Sequence, residues 1–221
     1  MAEKKKGISK GWLSILIIVA ILVIDQIIKI AVKTHMCLGE SIRITDWFFI
    51  DFVENNGMAY GMTFINKLLL SIMRIVLISV IGVYIYKQIR ANARTLYIIL
   101  LSMLVAGATG NIIDSMFYGL IFSASSPYYV AYFVPFGSGY STFLKGKVVD
   151  MFHFPLINTT WPEWVPFVGG NEFEFFSPVF NFADACISVA VVALFIFCNK
   201  EIAALSSSKK KENEPSEKEE E

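Results

Sequence analysis

The chain has 221 residues, of which 55% are hydrophobic and 17% charged, with 19 Lys+Arg against 19 Asp+Glu. A soluble domain carries about 25% charged residues, so this chain is too apolar for a soluble globular protein and too short for a large multidomain enzyme. Zero net charge also argues against a nucleic-acid binder, which needs a basic face.

In chain order, Lys4, Lys5, Lys6 and Lys10 precede a first apolar stretch, about 12–32, interrupted by Asp25, Gln26 and Lys29. It is long for the apolar part of a cleaved signal peptide and contains a carboxylate, so it reads as a retained anchor. The residues before Cys37, Thr34-His35-Met36, make a poor lipobox. A loop at about 33–66 leads to a second apolar stretch, 67–86, interrupted by Arg74. The third stretch, 95–114, turns polar only toward its end.

A second loop, 115–178, is rich in Gly, Pro and aromatics, among them Tyr128, Tyr132, Phe136, Trp161, Trp164 and Phe167. That density suits either a headgroup interface or the core of a small folded cap. The fourth apolar stretch, 179–197, has Asn181 and Asp184 near its start. Residues 206–221 are almost devoid of apolar side chains, and a solvated, disordered tail is expected there. Cys37, Cys186 and Cys198 form no CxxC pair, so neither a disulfide framework nor a zinc site is implied.

A bilayer core of about 30 Å needs about 20 apolar residues in a helix, and backbone groups in lipid must be bonded within their own segment. The expected fold is therefore an all-α membrane protein with four transmembrane helices in one integral membrane domain, 1–205. The two outer loops add a small extracytoplasmic cap with some β-structure. Twelve lysines and arginines lie before the first helix, between the second and third, and after the fourth. The opposite loops contribute far fewer, among them Arg43, Lys145 and Lys147. Positive charge marks the cytoplasmic side, so both termini are expected in the cytoplasm.

Ionisable groups at membrane depth are costly and mark function by default. Here they are Asp25, Lys29, Arg74, Asn111, Asp114, Asn181 and Asp184, with Asp150 in the loop before the last helix. Asp25 and Lys29 are spaced i,i+4, so they share a helix face and can pair. The expected topology brings Asp25, Lys29, Asn111, Asp114, Asn181 and Asp184 to one level, the outer interface. Asp150 joins them if 147–154 folds back onto the bundle.

Histidine is scarce, with His35 and His153 alone, and no HExxH occurs. A zinc peptidase is thus poorly supported. Gly137-Ser138-Gly139 is a weak echo of a serine-peptidase motif, with no helical His to serve as base. Two carboxylates can instead divide one proton, the ionised one activating water and the protonated one polarising a carbonyl. Structural ion pairs and helix caps are the plain alternative for each Asp. The rival class is a non-enzymatic four-helix protein with an ion or proton relay, but such groups usually lie near the midplane.

Five elements carry a resemblance. Asp25-Gln26-Ile27-Ile28-Lys29 resembles a DQxxK motif, and Asn55-Asn56-Gly57-Met58-Ala59-Tyr60 is similar to NxGxAF. Gly107 through Asp114 resembles GxxxNxxD, Val148-Val149-Asp150 resembles VVDF, and Phe180-Asn181-Phe182-Ala183-Asp184 resembles FNxAD. In this order the five resemble lipoprotein signal peptidase, the type II signal peptidase of bacteria.

The resemblance implies that Asp150 and Asp184 are catalytic. It implies that Asp25, Lys29, Asn55, Gly57, Asn111, Asp114 and Asn181 support the site or contact substrate. It further implies a multi-pass protein of the bacterial cytoplasmic (inner) membrane, with its site at the outer, periplasmic face. The implied substrate is a prolipoprotein with a diacylglyceryl Cys, cut just before that Cys. Membrane lipid and globomycin-type inhibitors are the other implied partners, and no metal or other cofactor is implied. Two departures stand out. The family's Arg after GxxxNxxD is replaced by Ser115, so Arg74 is either a substitute for that charge or, as the plain alternative, a side chain that snorkels to the interface or pairs with a helix carbonyl. The loops at 115–147 and 155–178 are enlarged.

Overall fold

The structure is a computed structural model that describes residues 8–56 and 67–203. The expectations for Gly57 and for the 206–221 tail lie outside the described residues. Helix α1 spans Lys10–His35, α2 Lys67–Arg90 and α3 Thr95–Ile113. A π-helical turn, Asp114–Tyr118, and the single turn α4, Gly119–Ile121, continue α3, and α5 spans Phe182–Phe197.

Among the described residues three helices, counting Thr95–Ile121 as one, are long and apolar enough to cross a membrane. The fourth expected span is shorter: α5 has 16 residues, because 179–181 are extended chain and cap rather than helix. The third span is correspondingly longer than the expected 95–114. Side chains such as Leu16, Val19, Val76, Val80, Val192 and Phe195 are exposed along α1, α2 and α5. Apolar surface pointing outward is what lipid requires of a helix exterior.

Polar contacts fix how the helices run. At one end, Lys10 Nζ donates to Asn92 Oδ1 at 2.7 Å and to the Ala93 carbonyl at 2.6 Å. At the same end Arg94 donates to the Phe197 carbonyl, closing the end of α5. Within the bundle, Ser14 and Ser102 hydroxyls bond at 2.7 Å and Tyr84 and Tyr97 hydroxyls at 2.8 Å. The start of α1, the α2–α3 turn and the end of α5 therefore share one end of the bundle, and the polar residues named above gather at the other.

That other end carries a small antiparallel sheet. Strand β1 spans Ser41–Thr45, β2 Phe48–Asn55 and β3 Val148–His153, in the order β1-β2-β3. A separate hairpin pairs β4, Ile157–Thr160, with β5, Glu172–Phe175. Beneath the sheet lies a core of Val32, Met36, Phe52, Tyr118, Phe122, Val149 and Met151. Phe122 is fully buried in the cap core and the exposed Phe133 ring lies against it, with centroids 4.5 Å apart, while Trp164 and Phe167 are 81% and 103% exposed.

The enlarged loop after α4 is pinned to the helix end. Backbone bonds run from Ser123 to Tyr132, Val134 to Ile121, Tyr140 to Phe122, Ser141 to Gly119 and Gly146 to Ser115. These bonds pair backbone groups of the loop with those of the helix end, as segments packed against a fold require.

Candidate active site

The site grows from the start of α5. Asn181 is its N-cap: Oδ1 accepts from Asp184 N–H at 2.9 Å, and Asp184 Oδ2 accepts from Asn181 N–H at 3.4 Å. This reciprocal capping box explains the three-residue spacing. It also puts the Asp184 carboxylate in the first helical turn, where the helix dipole favours negative charge.

The remaining donors of Asn181 reach two other elements. Its Nδ2 donates to Asp150 Oδ1 on β3 at 2.7 Å and to Asn111 Oδ1 on α3 at 3.0 Å. Asn111 in turn donates from Nδ2 to Asp184 Oδ1 at 2.7 Å. From β2, Asn55 Nδ2 donates to Asp150 Oδ2 at 3.1 Å. Three asparagines thus hold two carboxylates, and Asn181 and Asn111 together link one to the other.

Behind them lies a buried charge cluster. Lys29 Nζ sits 2.9 Å from both Asp25 Oδ2 and Asp114 Oδ2, with all three side chains fully buried. Lys29 also donates to Asn111 Oδ1 at 2.8 Å. Asp25 Oδ1 accepts from Ala183 N–H at the start of α5, and Asp114 Oδ2 accepts from Val149 N–H on β3. One lysine therefore ties α1 to α3, and its two carboxylate partners reach α5 and β3.

Close approach of the helices depends on glycine. A Cβ on Gly110 would lie 2.6 Å from Asp25 Oδ2, and one on Gly107 would lie 2.5 Å from the Ala183 carbonyl.

The environment separates the two carboxylates. Burial, reinforced by the nearby Asp184 charge, pushes Asp150 up from 3.8 to about 7. Asp184 is less enclosed than Asp150. Arg74 lies near enough to Asp184 and Asp150 to interact with both electrostatically. Ser115 is buried, its hydroxyl bonded to the Asn111 carbonyl and its own carbonyl accepting from Gly146. The returning loop occupies the space beside it.

The structure brings together Asp25, Lys29, Asn55, Asn111, Asp114, Asp150, Asn181 and Asp184. Among the described residues no group of His, Cys, Asp and Glu could hold a metal ion. His153 pairs with Asp51 at 2.6 Å on the sheet, and His35 lies exposed at the end of α1. Sequence reasoning noted Gln26 in the DQxxK element without giving it a part in the site; its Nε2 donates to Asp114 Oδ1 at 2.9 Å and its Oε1 accepts from Tyr118. The same reasoning passed over Lys33 and Glu54, a buried pair 2.5 Å apart. The signal was present for Lys33, four residues after Lys29 on the same face of α1.

Two carboxylates held side by side by amide donors, on a bundle with a lipid-type exterior, have the form of a membrane aspartyl peptidase site. Comparison with known proteins gives the family. Residues 17–200 match the family described as Signal peptidase (SPase) II. The lipoprotein signal peptidase of Porphyromonas gingivalis (strain ATCC 33277) is 46% identical over 211 residues, covering 95% of this chain and 93% of the relative. That of Amoebophilus asiaticus (strain 5a2) is 34% identical over 194 residues, 85% of this chain and 77% of the relative. A bacterial membrane enzyme solved by the in meso method at 2.3 Å resolution shares the fold, with a TM-score of 0.56, 23% identity and coverage of 95% and 94% of the two chains. The chain belongs to the signal peptidase II family, an aspartic-type peptidase family of multi-pass bacterial membrane proteins.

Proposed function

We propose that this chain removes the signal peptide from diacylglyceryl-modified prolipoproteins, cutting before the lipidated Cys, with Asp150 and Asp184 as the reacting pair. The observation that carries this reading is the shared amide bridge: Asn181 holds Asp150 while Asn111 holds Asp184.

In the reaction, Asp184 takes a proton from water and the oxygen attacks the scissile carbonyl carbon. Asp150, which retains its proton near neutrality, gives it to the carbonyl oxygen. The resulting gem-diol collapses as Asp184 passes its newly gained proton to the leaving nitrogen and Asp150 takes a proton back from a diol hydroxyl. The C–N bond breaks, releasing the signal peptide carboxylate and the amine of the lipidated Cys. The two carboxylates titrate as a unit, and each returns to its starting state. Asn55, Asn111 and Asn181 orient them, and the Lys29, Asp25 and Asp114 cluster fixes the helices that carry them. Arg74 supplies the positive charge that Ser115 lacks.

The same reading has four helices crossing the bilayer, both termini in the cytoplasm and the site at the outer face. There the acyl chains of the substrate remain in lipid while the peptide reaches the site. Globomycin-type cyclic peptides occupy that site in competition with substrate. The test is cleavage of a diacylglyceryl-modified peptide by the purified protein. Globomycin-sensitive release of the signal peptide supports the reading, and equal cleavage of the unmodified peptide contradicts the lipid requirement.

A further inference from the structure

Outside the reacting pair, a second buried charge cluster has no role so far. Glu54 on β2 is 3% exposed in its side chain, and its Oε1 accepts from Lys33 Nζ at 2.5 Å and from Ser125 Oγ at 2.7 Å. Its Oε2 accepts from Lys147 Nζ at 3.0 Å. Lys33, fully buried on α1, also donates to Ser125 Oγ at 2.8 Å. The Lys33 ammonium lies 5.0 Å from the Tyr140 ring centroid and 5.3 Å from that of Phe122. The Tyr140 hydroxyl accepts from Lys147 N–H at 2.7 Å. Ser125, Tyr140 and Lys147 all belong to the enlarged loop.

The position of this cluster ties it to the site. Lys33 is one helical turn beyond Lys29, so both lysines leave the same face of α1. Glu54 and Asn55 are neighbours on β2, and their side chains point to opposite faces. Glu54 is paired with Val149 and Asn55 with Val148, next to Asp150 on β3. Lys147 immediately precedes that strand. We propose that the Lys33–Glu54–Lys147 cluster is a positioning device for the reaction. Through it the enlarged loop sets the height of β2 and β3 over the helices, and so the placement of Asn55 and Asp150 against Asp184. This rests on Asp150 and Asp184 being the reacting pair. Breaking a buried ion pair leaves an uncompensated charge, and a shift of about 1 Å in a reacting group costs about a hundredfold in rate.

The test is steady-state cleavage of a diacylglyceryl-modified peptide by the full chain, with Lys33→Met, Glu54→Gln, their double variant, and the uncharged changes Ser125→Ala and Tyr140→Phe. The uncharged changes leave the charges facing Asp150 as they are: Asp184, Lys29 and Arg74. The expected result is a kcat lowered about tenfold to a hundredfold with KM within about twofold, as misplacement of a reacting group predicts. The double variant falls no further than the worse single one, because the two residues act as one unit. Ser125→Ala and Tyr140→Phe lower kcat by less and move its alkaline limb to lower pH, as Asp150 draws away from Asp184. Wild-type kcat and pH profile in folded variants, whatever their melting temperature, overturn the proposal and leave a merely structural cluster. Retained turnover in Asp150→Asn would strike the underlying reading instead. A Lys33→Met variant that does not fold is replaced by Lys33→Arg, for which the proposal expects a kcat still below that of the parent and a structural cluster expects the parent kcat once the variant is folded.

Discussion

Lys29 and Asn111 meet across the α1–α3 contact, the ammonium donating to the amide oxygen at 2.8 Å. An ammonium has no acceptor, so the amide oxygen of Asn111 must face Lys29 and its nitrogen must face Asp184. A charge one layer away thereby decides which end of the amide meets the Asp184 carboxylate. Lys29→Met would lose this orientation and leave Asp25 and Asp114 buried without their cation. Removing one partner of a buried ion pair costs about 3–5 kcal/mol. The expected outcome is a lower melting temperature in detergent together with a loss of turnover. An unchanged melting temperature would contradict the structural role given to the cluster.

Gly110 lets α1 and α3 approach. An added Cβ would lie 2.6 Å from Asp25 Oδ2 and 3.2 Å from Ala183 Cβ, and the Asp25 carboxylate is held in place by Lys29 and by the Ala183 N–H. Gly110→Ala is expected to destabilise by about 1–3 kcal/mol, the range for overpacking. Thermal unfolding measures it, and Gly82→Ala, where nothing lies within 4 Å, serves as the control.

Asp150 ionises ordinarily near 3.8 and is held up at about 7 in the fold. Between these values the unfolded chain has lost its proton while the folded one keeps it, so rising pH favours unfolding. This contribution to stability is present below 3.8 and is lost as pH rises through about 7. Asp150→Asn should flatten the decline in melting temperature across that window. A decline as steep as in the parent protein would contradict the assignment.

Arg74 stands in for a missing arginine only if its charge acts on the pair. Arg74→Gln should lower kcat by about a hundredfold, the lower end of the loss on removing one preorganised electrostatic contact to a reacting centre. Full activity in the folded variant would return Arg74 to a plain interfacial role.

The helices and most of the site were legible in the chain because both rest on local rules. The i,i+4 spacing of Asp25 and Lys29 and the three-residue spacing of Asn181 and Asp184 are helix-face and capping patterns, and the structure contains both. The continuation of α3 through the π-helical turn was not legible. It is stabilised from outside, by Gly146 against Ser115 and Ser141 against Gly119, which are contacts between distant positions. Glu54 was missed for the same reason: its partners Lys33, Ser125 and Lys147 come from three segments. Asp150 was reachable only conditionally, since a strand before the last helix does not reveal what it pairs with.

The central claim is that Asp150 and Asp184 carry out the hydrolysis as a pair. The most direct measurement is single-turnover cleavage of a diacylglyceryl-modified precursor peptide by the parent protein, Asp150→Asn and Asp184→Asn, each confirmed as folded by its melting transition. The account predicts no detectable cleavage in either variant. Turnover in either one at a rate near that of the parent would contradict it.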